Sequence, residues 1–340
     1  MMRTSVLKPL SVIYSQIVDF KNALYDRKQI KTYQAPVPVI SIGNLTMGGT
    51  GKTPVTDFLL RSLVSKGKKV AVISRSYKAD VSSPSLVDVH HPYSARYYGD
   101  EPVLLAQHNP KVDVYVGPTK WKTAQYACEE DQYDVLLVDD GFQHRKLHRD
   151  LNVVILDATE QMENYEVVPQ GRGRESWASL ERADLIVLSK ANLATEETLT
   201  QLQNKLPNKP FLPFNYQIKE MKDIKTHEIY SRERARGKKM FLVSAIARPD
   251  VFEKMMGEIG QLVPGSIHYR DHHQYTREDV AQMIQKFKQS GADMLVTTSK
   301  DAVKLVALWP KDEKLWVTNL EIAEVGQKGV LLEKVYALCP

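Results

Sequence analysis

Apolar residues near the start of the chain recur every three or four positions: Leu7, Leu10, Ile13, Ile17, Phe20 and Leu24. That spacing predicts an amphipathic helix within residues 1–30, with Pro9 tolerated in its first turn and Arg27, Lys28 and Lys31 at a basic end. A stripe of this kind either packs on the protein's own core or lies on an anionic membrane surface, and the pattern taken alone favours packing. The period then changes. Apolar runs at 37–42, 70–74, 112–116, 135–138, 153–156 and 185–188 predict buried strands, and helical patterns at 53–66, 101–107 and 120–128 separate the first four. Strands alternating with helices imply a parallel sheet covered on both faces, with ligands at the carboxyl ends of its strands.

The pattern breaks at 207–213, where three prolines precede alternating Phe214, Tyr216 and Ile218 and a charged stretch through Lys239. This composition marks a domain junction. Beyond it, strands at 240–244, 294–297 and 315–317 and helices at 250–259 and 277–289 predict a second, smaller α/β unit. The expected division is an N-terminal helix over 1–30, a larger α/β domain over 31–212, a linker over 213–239 and a C-terminal α/β domain over 240–340.

Composition narrows the partners. With 340 residues, 43% of them apolar, the chain can fill two cores, and its net charge of +5 suits anionic ligands or an anionic membrane without demanding nucleic acid. The basic run at Arg232, Arg234, Arg236, Lys238 and Lys239 is interrupted by Glu233 and has no interleaved aromatics, so it reads as a solvated loop. Cys128 and Cys339 form no disulfide framework and point to a reducing cytoplasm. No apolar run approaches 18 residues, and Lys8, Pro9, Gln16 and Asp19 interrupt what would be a signal-peptide core. Secretion and membrane spanning are therefore not expected.

The chemistry begins at Asn44-Leu-Thr-Met-Gly-Gly-Thr-Gly-Lys-Thr53, between a predicted strand and a predicted helix. That is the context of a phosphate-binding loop and implies a P-loop NTPase-like sheet, although Thr46 takes the place of the usual first glycine. Gly48, Gly49, Thr50 and Gly51 would turn backbone N–H groups around phosphate oxygens, Lys52 would reach the β- and γ-phosphates, and Thr53 would offer its hydroxyl to Mg²⁺. Downstream, an apolar strand delivers Asp139 and Asp140, placed as Mg²⁺-binding acids. Gly99-Asp-Glu-Pro102 sets two acids at a helix start, where they act as caps or orient an acceptor hydroxyl. Asp271-His272-His273 has residue types suited to base or metal chemistry, but without zinc spacing it reads more readily as a polar turn unless the fold brings it to the nucleotide. Met47 stands where partition-type ATPases carry lysine, and Asn192 stands where GTP-binding proteins carry a base-reading Asp. ATP is the expected nucleotide.

Taken in order, these motifs resemble the tetraacyldisaccharide 4′-kinase family. The resemblance is carried by Pro36-Val-Pro-Val-Ile-Ser-Ile-Gly-Asn44, the loop through Pro54, Ser74-Arg-Ser-Tyr77, Gly99-Asp-Glu-Pro102, Asp139-Asp-Gly-Phe-Gln-His144, Arg174-Glu175, Asp271-His272 and Lys300-Asp-Ala-Val-Lys304. It implies Mg²⁺-dependent transfer of the γ-phosphate of ATP to the 4′-hydroxyl of a lipid A disaccharide 1-phosphate precursor. It further implies Lys52 and Asp100 as catalytic groups, with His272 supporting Asp100, and Glu101, Gln143, His144 and Arg174 as phosphate, metal-water or substrate contacts. Ser76 and Lys78 replace two family glycines, and residues 172–176 read Arg-Gly-Arg-Glu-Ser where the family commonly has Pro-Leu-Arg-Glu-Pro.

A lipid acceptor shifts the N-terminal helix toward the interfacial role, at the cytoplasmic face of a Gram-negative inner membrane, with no nucleic acid and no obligate protein partner implied. Two other classes compete. One is a P-loop switch or metallochaperone-like ATPase that makes no phosphorylated lipid, and the other is a nucleic-acid-binding ATPase, which requires steeply salt-dependent binding.

Overall fold

The computed structural model describes residues 2–75, 81–91, 93–206, 208–209, 211–326 and 329–339, with side chains from residue 7 onward. Ser76, Tyr77 and Lys78, and the junction prolines 207 and 210, lie outside the described residues.

Among the described residues one sheet of fourteen strands runs through the molecule. Its first half comprises β1 (Val39–Asn44), β2 (Val70–Arg75), β3 (Ser85–Leu86), β4 (Asp113–Gly117), β5 (Val135–Asp139), β6 (Leu151–Asp157) and β7 (Leu185–Ser189). The second half comprises β8 (Phe211–Asp223), β9 (Ile229–Ser231), β10 (Lys239–Ser244), β11 (Gln261–Leu262), β12 (Ile267–His268), β13 (Met294–Thr298) and β14 (Trp316–Glu324). The helices are α1 (Met2–Asp26), α2 (Lys52–Ser65), α3 (Ser94–Tyr98), α4 (Asp100–His108), α5 (Lys120–Glu130), α6 (Glu196–Lys205), α7 (Pro249–Gly257), α8 (Arg277–Ser290), α9 (Ser299–Leu305) and α10 (Val330–Leu338).

The central strands β1, β5, β6 and β7 are buried along their whole length, as a parallel sheet covered on both faces requires. β1 lies between β5 and β6, parallel to both, so the loop after it opens at the middle of the sheet's carboxyl edge. Leu59, Leu60 and Leu63 of α2 are fully buried in the core that includes Ile40 and Ile42 of β1.

Residues 213–239, read from sequence as a linker, carry two strands. In β8, Phe211 to Pro213 pair parallel with β7, and Phe214 to Asp223 pair antiparallel with β14. One strand therefore belongs to both halves. The prolines suggested a break, but the alternating Phe214, Tyr216 and Ile218 are buried in the core, and Phe214 meets Phe58 of α2 edge to face at 5.8 Å. The strand expected at 315–317 extends to Glu324 for the same reason, since it partners β8.

Helix α1 departs from the packing that its stripe suggested. Leu10, Ile13, Ile17 and Phe20 are exposed, Phe20 at 67%, so the apolar face points outward. No described helix is long and apolar enough to cross a membrane.

Candidate functional site

The residues assigned catalytic, nucleotide, substrate or metal roles from the sequence line one cleft of about 1140 Å³, bounded by the carboxyl edge of the sheet, α1 and the second half of the molecule, whereas His273 and Asn192 do not. The glycine loop forms its floor. Gly48 (φ +115°) and Gly51 (φ +86°) adopt backbone that only glycine enters readily, and Gly51 delivers the chain into α2 without a side-chain cap. The first N–H groups of that helix are thus left for an anion. Thr46 is not strained. Its φ is negative, its carbonyl accepts from Asn44 Nδ2 at 2.6 Å, and it bridges Gly173 antiparallel, so this position has no need of glycine.

The two strand-end acids differ sharply in environment. Asp139, 3% exposed, accepts a long hydrogen bond from Ser74 Oγ at 3.4 Å, while its Oδ1 is buried without a hydrogen-bond partner among the described residues. Burial first, and then the nearby Glu101 carboxylate, pushes its carboxyl up to about 6. Asp140 turns outward in left-handed backbone (φ +51°), 3.5 Å from Lys52 Nζ, and accepts two bonds from Arg174 Nη1 at 2.8 and 2.9 Å. Burial raises the Asp140 carboxyl, but Lys52, Arg174 and Lys120 outweigh it and hold the group well below the usual carboxylate range. A buried carboxylate oxygen without a donor among the described residues, in the cleft that Thr53 and Lys52 also line, fits a hard divalent cation bound partly through water. No third His, Cys, Asp or Glu joins the pair as a metal cage among the described residues, so Mg²⁺ here would take its other ligands from Thr53, water and nucleotide.

Across the cleft, Gly99 (φ +98°) starts α4 and presents Asp100. His272, in the loop after β12 and itself at φ +63°, places Nδ1 3.0 Å from Asp100 Oδ2. Two lysines of α9 close the ring. Lys300 Nζ lies 3.0 Å from Glu101, 3.4 Å from His272 Nε2 and 4.0 Å from Asp100, and Lys304 Nζ lies 3.8 Å from Asp100. Burial raises the Asp100 carboxyl, yet the His272 hydrogen bond with the charges of Lys300, His272 and Lys304 holds it well below its ordinary range. The neighbouring His273 serves the fold instead, pairing with Asp279 of the α8 capping box at 3.0 Å.

Of the remaining candidates, Gln143 donates to the Asn44 carbonyl at 3.0 Å and accepts from Arg174 at 3.3 Å, which fixes it at the loop's edge. Burial, then the charge of Lys120, pulls the His144 imidazole down to about 3, so it is neutral near pH 7. Sequence reasoning gave no role to Lys300 or Lys304 and missed Lys120, a buried residue whose ammonium bonds the Asp139 carbonyl. The available signal was position, since Lys120 begins the helix that follows the carboxyl end of β4. Asn192, weighed as a base reader, has its amide bonded to both backbone groups of Tyr216.

A glycine loop and paired strand-end acids on one wall, with a carboxylate–imidazole pair on the other, define a P-loop phosphotransferase. Its relatives specify which one. A family model described as Tetraacyldisaccharide-1-P 4'-kinase matches residues 3–338, and the chain belongs to that family. It is similar to the tetraacyldisaccharide 4′-kinase of Bdellovibrio bacteriovorus, 63% identical over 96% of this chain and 97% of the relative. The kinase of Anaeromyxobacter sp. (strain Fw109-5) is 36% identical over 93% and 86%. Among solved structures, "apo" form LpxK from Aquifex aeolicus in complex with ATP aligns over 100% of both chains, with a TM-score of 0.76 at 28% identity.

Proposed function

We infer that this chain transfers the γ-phosphate of ATP to the 4′-hydroxyl of a tetraacyldisaccharide 1-phosphate. The observation that carries the reading is the Asp100–His272 pair, 3.0 Å apart, in the same cleft as Lys52 and the glycine loop. The glycine loop would hold the triphosphate, with Lys52 and Arg174 supplying positive charge to its terminal phosphates. Mg²⁺ held through Thr53, Asp139 and Asp140 would neutralise charge on the β- and γ-phosphates.

Asp100 receives the hydrogen bond of the acceptor hydroxyl and aligns its oxygen with the γ-phosphorus. The new O–P bond forms as the bond to the β-phosphate oxygen breaks, and ADP leaves with that electron pair. A carboxylate held this low is a weak base, so its main work is orientation, with His272 beside it to share the proton. Lys300 and Lys304 keep Asp100 ionised. Glu101, Gln143 and His144 line the acceptor's approach.

The exposed apolar face of α1, with Arg27, Lys28 and Lys31 exposed at its end, supports docking on the anionic cytoplasmic face of the inner membrane. Tyr14, Val18 and Asn22 of the same helix line the cleft, so docking would bring the lipid headgroup to Asp100. The test is incubation with labelled ATP and a disaccharide 1-phosphate lipid in detergent or vesicles. A labelled lipid is expected, and ATP hydrolysis with no labelled lipid refutes the assignment.

A further inference from the structure

Three consecutive carbonyls of the glycine loop each accept a hydrogen bond from a different side chain. Lys190 Nζ donates to the Gly49 carbonyl at 2.9 Å, Ser189 Oγ to the Thr50 carbonyl at 2.7 Å, and the Tyr216 hydroxyl to the Gly51 carbonyl at 2.9 Å. In a planar trans peptide the carbonyl and the next N–H point in opposite directions. Pinning these carbonyls therefore aims the N–H groups of Thr50, Gly51 and Lys52 the other way. That of Thr50 closes the loop onto the Gly48 carbonyl at 3.0 Å, and those of Gly51 and Lys52 meet no acceptor among the described residues and are left for a ligand.

The third donor differs from the first two. Ser189 ends β7 beside the loop and Lys190 follows it, braced also by Asp157 at 2.5 Å. Tyr216 lies on β8, the strand common to both halves of the sheet, where its backbone is clamped by Asn192 at 2.8 and 3.0 Å and paired with Ile322 of β14. The ring is 2% exposed and packs so closely that a Cβ on Gly51 would come within 2.8 Å of its oxygen. The Gly51 peptide is free to turn over, because Gly51 has no Cβ and sits at positive φ.

We propose that Tyr216 is a positioning residue for nucleotide binding: its hydroxyl locks the Gly51–Lys52 peptide with the N–H toward the phosphates. Without it, the peptide populates a second orientation that turns a carbonyl oxygen toward the anion. The apparent affinity for ATP then falls by the fraction of molecules left in the competent state. If the competent orientation drops to about one molecule in ten, affinity falls about tenfold. The inference rests on the reading that the loop holds ATP.

The experiment compares Tyr216→Phe, which keeps the ring and removes only the donor, with Phe214→Leu, which loosens packing on the same strand. Binding of a fluorescent ATP analogue is measured directly, alongside KM for ATP and for the lipid acceptor. Tyr216→Phe is expected to weaken analogue binding and raise KM for ATP about tenfold, with KM for the acceptor unchanged within twofold. Phe214→Leu is expected to lower the thermal midpoint while leaving ATP affinity within twofold. ATP affinity within twofold of the parent in Tyr216→Phe overturns the proposal, as does an equal loss in Phe214→Leu. The binding measurement needs no acceptor, so a chain that binds ATP but phosphorylates no lipid would remove the proposed reaction and leave this inference standing.

Discussion

Replacing Asp100 with Asn separates orientation of the acceptor from binding of the nucleotide. The substitution preserves volume but removes the negative charge facing His272 at 3.0 Å, Lys304 at 3.8 Å and Lys300 at 4.0 Å. A positioned acid–base group contributes about 10²–10⁴-fold in rate. The expected fall in kcat is of that size, or about 3–5 kcal/mol of barrier. ATP affinity should change by less than about threefold, because the loop is held by Ser189, Lys190 and Tyr216, none of which bonds Asp100.

The pH dependence of stability supplies a second readout. The folded-state pKa of Asp100 is depressed by His272 and the lysines against the opposing push of burial. Its contribution to stability is therefore fully present above the unfolded value of about 4 and is lost progressively as pH falls from there through the depressed folded-state value. The parent should lose stability on acidification through that window more steeply than Asp100→Asn, which has no such proton to take up. The assay is labelled-lipid formation with nucleotide titration, paired with urea denaturation from pH 3 to pH 7. Product formation at the parental rate would refute the role. So would a loss of ATP affinity as large as the loss of rate.

Four further outcomes follow from the same geometry. Lys52→Met should weaken ATP binding at least tenfold in a nucleotide titration, since Lys52 supplies the loop's ammonium beside Asp140. Chelation of Mg²⁺ should abolish lipid phosphorylation and its re-addition should restore it, whereas activity persisting in excess chelator would exclude a metal role for Asp139 and Asp140. Exchanging Ile17 and Phe20, 64% and 67% exposed, for Glu should reduce vesicle binding at least tenfold without lowering the thermal midpoint; unchanged sedimentation with anionic vesicles would remove the interfacial role of α1. Thr46→Gly, which installs the expected glycine, should destabilise the protein by about 1 kcal/mol in a denaturant titration, because Thr46 needs no positive φ and glycine adds unfolded-state entropy.

The parts of the site that were legible in the sequence are those built by neighbours in the chain. The glycine loop needs only a strand, a few permissive residues and a helix start, and Asp139 and Asp140 need only an apolar strand to end at them. Where the reading stopped, the partners are distant. Asp100 and His272 are 172 positions apart, Tyr216 and the Gly51 it holds are 165 apart, and neither pairing has a local spacing to recognise. The family resemblance paired Asp100 with His272, but it assigned no task to Lys300, Lys304, Lys120 or Tyr216.

By itself the sequence determined the alternating α/β pattern, the phosphate loop, the strand-end acids and the amphipathic character of the first helix, because each depends on side-chain periodicity or on backbone freedom at a few consecutive residues. Tertiary structure alone decided that 211–223 is a strand shared by both halves, that the stripe of α1 faces outward, and that Asp139 and Asp140 live in opposite electrostatic surroundings. Those facts depend on burial and on charges brought close by folding. Two adjacent aspartates with the same chemistry become unlike only when one is sealed beneath the sheet's edge and the other is turned toward Lys52 and Arg174.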